Sequence, residues 1–350
     1  MRPDQCLHRG GTVALSDPVS REGIALADSI VRHQLPNGGW LKNQDWLRGV
    51  DRAAQKRALS TGVGATIDNG ATTREMKHLA GVLALQYPLT PSQREAYREA
   101  FGRGLRFLLQ MQYANGGFPQ FFPYEGAAHY ARHITLNDDA TVNVLRLLHD
   151  VSLRRPPYDA LCLSDSLCTA AGGAFVRGLQ CLLDCQIRKD GRLTVWCQQH
   201  DEQTLLPTSA RAYELPSFCG HGESVNVLLF LMELDLSEPA LQALRQRIFL
   251  AVDSGVEWLW THRLAGMRLE RFTNADGMAD QRVVSGTPDD VLLARYYDLT
   301  TEQPFFCDRD GIPHPHLSDI GYERRNGYAW IRPFPLKLMQ CYEAWKTKNQ

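Results

Sequence analysis

The feature that most constrains this chain is a turn that recurs at nearly fixed spacing. Gln34-Leu-Pro-Asn-Gly-Gly-Trp40, Gln112-Tyr-Ala-Asn-Gly-Gly-Phe118 and Gln186-Ile-Arg-Lys-Asp-Gly-Arg192, the last followed by Trp196, each close a helical pattern. Their anchors Asn37, Asn115 and Asp190 lie 78 and 75 positions apart (115 − 37 and 190 − 115). Such a period fits a repeated pair of helices, one outgoing and one returning, with the Gly turn always at the same end. A further step of 75 reaches position 265, beside Gly266 and after the apolar run holding Trp258 and Trp260, a degraded fourth instance. Helical hairpins that repeat and close in a ring form an α/α toroid with a cleft in the loops at one end. The expected fold class is therefore all-α, an incomplete barrel of hairpins; the competing reading is an irregular helical domain with coincidental turns.

Amphipathic patterns over 21–35, 92–113, 140–152, 170–187, 224–234, 238–262 and 289–297 support helices, and long alternating strand patterns are scarce. Residues 1–18 read as an N-terminal extension and 19–350 as a single catalytic domain, because toroids of this length commonly form one unit. No apolar run approaches the roughly 20 residues of a membrane helix, and Met1 to Pro18 lacks a signal-peptide core. A formal net charge of -1, from 38 basic and 39 acidic side chains, gives no global field for nucleic acid, so a polyanion site has to be local. The nine cysteines are an odd number without the spacing of a disulfide-stapled domain, and Cys181 and Cys185 share one face of an apolar helix as buried structural thiols.

Polar clusters fall in the connections. Asp68 or Asn69, within Thr66 to Thr73, could be a helix N-cap, as could a residue of Asn137-Asp138-Asp139 before the run from Ala140. Adjacent carboxylates repel one another unless solvated or sharing a cation, and hard oxygen donors without a His pair or CxxC favour calcium or magnesium over zinc. Arg211 stands beside Tyr213 and Glu214 in a loop, Arg295 at the end of a predicted helix, and Arg309 among acidic neighbours where a structural ion pair is the simpler explanation.

Eight segments in order resemble the family 10 polysaccharide lyases, the pectate lyases: Asn37-Gly-Gly-Trp-Leu-Lys-Asn43, Thr66-Ile-Asp-Asn-Gly-Ala-Thr72, Asn115-Gly-Gly-Phe-Pro-Gln120, Asn137-Asp-Asp-Ala140, Thr194 to Asp201, Ala210-Arg-Ala-Tyr-Glu-Leu-Pro-Ser217, Phe305 to Gly311 and Gly321 to Tyr328. That resemblance implies an α/α toroid that cleaves polygalacturonate by calcium-dependent β-elimination. It implies Asp68 and Asp138, with Asp139 beside them, as calcium ligands and Arg211 as the base. It also implies Arg295 and Arg309 as holders of substrate carboxylates, with Lys42, Asn69 and Glu214 as further substrate-binding positions. The family's first turn usually has Pro after the Trp, where this chain has Leu41. The expected partner is polygalacturonate or oligogalacturonate, with neither nucleic acid nor membrane, acting on a monomer. The resemblance implies a secreted or periplasmic enzyme and the sequence as written a cytoplasmic one. The two alternatives to a lyase are a toroidal glycoside hydrolase using Asp68 and Asp138 as its carboxyl pair, and a non-catalytic polygalacturonate-binding protein.

Overall fold

The computed structural model describes residues 21–85, 89–124, 126 and 129–349, so the expected extension over 1–18 lies outside the described residues. Backbone contacts divide the chain into two compact units, one ending at Leu182 and the other beginning at Leu183.

The first unit is built from helices: α1 (Arg21–Arg32), α2 (Arg52–Thr61), α3 (Thr73–Ala84), α4 (Pro91–Met111), α5 (Ala140–Ser152) and α6 (Asp165–Asp184), at whose end the boundary falls. The start of α4 shows how local chemistry fixes an end. Thr90 Oγ1 accepts the Gln93 amide at 3.2 Å, Gln93 Oε1 accepts the Thr90 amide at 3.1 Å, and Pro91 occupies the first turn, where its missing N–H costs nothing. Trp40, Met76, Leu79, Phe101, Leu105, Phe118, Leu145 and Phe175 are fully or almost fully buried as its core. By length and composition α6 could cross a membrane, and half of its apolar window is buried inside the fold.

The recurrent turn is a physical unit. Gln34 Nε2 donates to its own turn at Gly38 O (2.7 Å) and to Ala100 O of α4 (2.8 Å), and Gln112 Nε2 does the same to Gly116 O (3.0 Å) and Ala174 O of α6 (2.8 Å). Both turns need glycine twice over: Gly38 has φ 97° and Gly116 φ 95°, and a Cβ there would lie 2.4 Å from Arg103 O and 2.1 Å from Arg177 O. In the second unit Gln186 Nε2 repeats the clamp, to Thr194 O (2.8 Å) and Ala251 O (3.0 Å), with the turn lengthened into a hairpin of Arg188–Lys189 and Arg192–Leu193.

The second unit departs from the expected all-α class. It holds α7 (Glu223–Glu233), α8 (Arg245–Thr261), α9 (Tyr322–Gly327) and α10 (Leu336–Asn349), but also several antiparallel pairings. Over the described residues helix accounts for 49% and strand for 15%, in several small antiparallel sheets, so the fold is mixed and not the expected all-α toroid. Where the degraded fourth turn falls, Gly266 leads into a long hairpin, Met267–Thr273 paired with Ala279–Ser285 and closed by an Asn274 side chain that accepts the amides of Asp276 and Met278. Residues 289–297, expected to be helical, instead form strands Val291–Ala294 and Tyr296–Asp298; the first sits between Leu264–Ala265 and Ile331–Pro333, and the second pairs with Ser217–Cys219. Their runs of Val, Leu and Tyr are buried, and continuous burial of a short strand removes the alternation that would distinguish it from a helix. Around them packs a core of Tyr213, Tyr296, Phe305, Phe306, Trp330 and Ile331, with Tyr328 against it.

Candidate active site

In the first unit two short turns present the predicted acidic residues. Asp68–Gly70 and Asn137–Asp139 are single 3-10 turns that pack against each other, each immediately before a helix, α3 and α5. They share one design. Asn69 (φ 52°, ψ 31°) and Asp138 (φ 51°, ψ 33°) both take left-handed backbone, and Thr72 Oγ1 and Thr141 Oγ1 donate to Thr66 O and Thr135 O at 2.8 and 2.6 Å. Position for position, Asp68 therefore corresponds to Asn137, and Asn69 to Asp138. Asp68, Asn69 and Asp138 are not caps, since the N-cap positions of α3 and α5 are Thr72 and Asp139; Asp139 holds the expected place but, like Thr72, makes no side-chain cap bond.

Asp68 is 4% exposed, and its Oδ2 pairs with Lys42 Nζ, which also lies 5.3 Å from the Phe121 ring. Asn69 Nδ2 donates to Asn43 Oδ1 at 2.8 Å. The set offers oxygen donors from Asp68, Asp138 and Asp139, and beside them Asn137 Oδ1 is buried without a hydrogen-bond partner. Hard oxygen donors with one unmet buried oxygen fit a calcium ion better than a softer metal.

In the second unit the predicted arginines converge on two aromatic rings. Arg211 forms a bidentate pair with Glu214, Nε to Oε2 at 2.8 Å and a terminal nitrogen to Oε1 at 2.7 Å, and lies 5.2 Å from the Tyr213 ring. Both Glu214 oxygens are thus occupied, and Oε1 also accepts the Tyr328 hydroxyl at 3.0 Å. Partial burial by itself favours loss of the Arg211 proton, but the Glu214 carboxylate outweighs it and holds the guanidinium above its ordinary pKa. Arg295, in the bend between two strands rather than at a helix end, stacks 4.4 Å from the Tyr328 ring and pairs with Glu223 at the start of α7. Burial again works against its charge and Glu223 restores it, with the net shift upward. Arg309 is 64% exposed and forms a bidentate pair with Glu323, both contacts 3.0 Å. Its guanidinium is 5.9 Å from the Tyr213 ring.

Several members of this cluster have no role in the sequence reading. Arg324 is buried, pairs with Glu323 and stands 4.6 Å from the Tyr213 ring. Tyr328, Tyr296 and Glu223 supply the ring and the counter-charge. Their signals were present, in the Glu-Arg-Arg-Asn-Gly-Tyr run ending at Tyr328 and in the Tyr following Arg295, but pairing across long sequence separations carries no local pattern. Among the described residues Arg295 Nε, Glu223 Oε2 and His221 Nε2 are buried without hydrogen-bond partners.

Two guanidiniums on aromatic platforms, that of Arg211 half-exposed and that of Arg295 largely buried, with an oxygen-rich turn pair elsewhere in the chain, suit an acidic ligand. A family model described as pectic acid lyase matches residues 34–339, and the chain belongs to that family. It is 31% identical to a family 10 polysaccharide lyase from Cellvibrio cellulosa, covering 95% of this chain and 94% of that chain with a TM-score of 0.76. A mutant of that lyase in complex with trigalacturonic acid is likewise 31% identical, over 93% and 94% of the two chains, with a TM-score of 0.75. No curated protein sequence matches the chain.

Proposed function

We propose that this pectate lyase cleaves α-1,4-linked polygalacturonate by calcium-assisted anti β-elimination, leaving a 4,5-unsaturated sugar at the new non-reducing end. The observation that carries the reading is the placement of Arg211 and Arg295, two guanidiniums each tethered by a buried carboxylate and each facing a tyrosine ring. The C5 hydrogen of galacturonate lies next to a carboxylate whose negative charge opposes its removal. Charge-assisted bonds from Arg295 and Arg309 to that carboxylate stabilise the enolate-like species in which the charge accumulates. Asp68, Asp138 and Asp139 are proposed to hold the calcium, which when bound adds further neutralisation of substrate carboxylate. Lys42 lies on Asp68, so it serves as that carboxylate's counter-ion and as a second contact for the sugar acid.

Arg211 is proposed to take the C5 proton, and the bond between C4 and the glycosidic oxygen breaks as the C4–C5 double bond forms. The leaving oxygen receives its proton from solvent. Glu214, with both oxygens already engaged, acts on the sugar only through Arg211. Because Glu214 raises the Arg211 pKa, turnover is expected to climb with pH as the neutral guanidine fraction grows. The test is incubation with polygalacturonate while reducing ends and the absorbance of the conjugated double bond are followed together, with calcium and with excess chelator. Reducing ends without absorbance would support the hydrolase, and full activity in chelator would remove calcium from the mechanism.

A further inference from the structure

The groups around Arg211 and Arg295 meet at one side chain. Tyr328 donates its hydroxyl to Glu214 Oε1 at 3.0 Å, its ring carries Arg295 at 4.4 Å, and its oxygen lies 2.6 Å from the Tyr296 hydroxyl, which in turn contacts Gln198 Oε1. Three oxygen–oxygen contacts in a row cannot be served by two hydroxyl protons. Turning the Gln198 amide end for end resolves the count, because Gln198 Nε2 is otherwise buried without a partner. The protons then run one way, from the Gln198 amide to Tyr296, from Tyr296 to Tyr328, and from Tyr328 to the Glu214 carboxylate. Such a chain polarises each successive donor and strengthens the last bond.

We propose that Tyr328 is a positioning residue for the elimination, coupling the two arginines by steadying the Glu214 carboxylate with its hydroxyl and the Arg295 guanidinium with its ring. This rests on the roles given above to Arg211 and Arg295. The hydroxyl draws negative charge from Glu214 and so moderates its grip on the Arg211 proton. Burial keeps the Tyr328 phenol protonated and therefore a donor. The other groups facing Arg211 are the Tyr213 ring and the cation of Arg324; those facing Arg295 are Glu223, Tyr296, Cys219 and His221.

The test is a cycle of wild type, Tyr328→Phe, Glu214→Gln and the double variant, with Tyr328→Leu beside it, all checked by thermal melting. Removing the hydroxyl leaves Glu214 more fully charged toward Arg211. Tyr328→Phe is therefore expected to lower kcat about tenfold with KM within about twofold. It should also move the alkaline rise upward by about one pH unit. Glu214→Gln moves that rise downward, and in its background the Phe change alters kcat by less than about twofold. Tyr328→Leu, which also takes the ring from Arg295, raises KM a further tenfold or so. A Phe variant indistinguishable from wild type, or one whose loss is undiminished in the Glu214→Gln background, overturns the proposal. If the wild type itself produces no absorbance, the elimination reading fails separately, and the coupling is judged by calorimetric binding of trigalacturonate. There Tyr328→Leu should bind about tenfold more weakly than Tyr328→Phe, and equal affinities overturn it.

Discussion

The two units present charge by opposite means. In the first, backbone conformation positions the donors: Asn69, Asp138 and Asp139 take positive φ in turns braced by threonine hydroxyls. In the second, core side chains position them: the Tyr328 and Tyr213 rings belong to or pack on the hydrophobic core and hold the arginines. A strained turn fixes a short side chain within one or two bonds of the backbone, which suits ligands for a cation. A long guanidinium needs a counter-carboxylate and an aromatic surface to lose its freedom.

The largest expected effect separates roles within the second unit. Arg211→Ala should lower kcat by about a thousandfold while trigalacturonate affinity stays within about threefold, because Arg295 and Arg309 keep the sugar acid. Calorimetry alongside rate measurement checks this, and a collapse of binding would mean that proton transfer and carboxylate holding are not divided between these arginines. The next effect comes from acid. His200 is buried with Nδ1 on Leu205 O and Nε2 accepting the Cys197 amide, and burial depresses its pKa to about 4. Its stabilisation is present above the unfolded value near 6.5 and disappears as pH falls through about 4, a loss of roughly 3 kcal/mol. Denaturant midpoints between pH 7 and 4 should fall accordingly, and His200→Gln should remove its share of the slope, leaving that of His221, whose pKa burial depresses to about 3.

The same turn in the two units gives the third comparison. Gly116→Ala places a Cβ against Arg177 O and should cost about 2–3 kcal/mol, whereas Gly191→Ala, at φ 79° with nothing within 4 Å, should cost about 1 kcal/mol. Equal costs in urea unfolding would show that backbone sign alone governs both turns. The smallest effect sharpens the first unit's role: Asp68→Asn or Asp138→Asn should raise the calcium needed for half-maximal turnover about tenfold, measured by titration into chelator-treated protein. An unchanged requirement would place the cation elsewhere.

Most of the predicted helical spans, from 21–35 to 238–262, were legible because their chemistry is local, whereas α2 and α10 were not read. Pro91 and the Asn115-Gly-Gly sequence announce the ends of α4, and the spacing of Asn37, Asn115 and Asp190 announces the repeat. The hairpin at 267–285 has no counterpart in the sequence reading, although Met-Arg-Leu-Glu-Arg-Phe alternates and Asn-Ala-Asp-Gly supplies a turn. The strands around Arg295 were not legible, since buried runs have no alternation. Motif positions brought Arg211, Arg295 and Arg309 to notice one at a time. The bond from Tyr328 to Glu214 spans 114 residues, so sequence could name both ends without joining them.

The glutamine clamps have a consequence for how the protein is made. Gln34 closes on Ala100, Gln112 on Ala174 and Gln186 on Ala251, so each turn waits for a helix 66, 62 or 65 residues downstream. At about 5–20 residues per second on the ribosome, that is an interval of several seconds in which each amide has only its own turn to bind. Each turn is therefore locked only by a helix that emerges after one or two others, and a pause in translation between a glutamine and its distant carbonyl would lengthen the time that the intervening apolar faces remain uncovered.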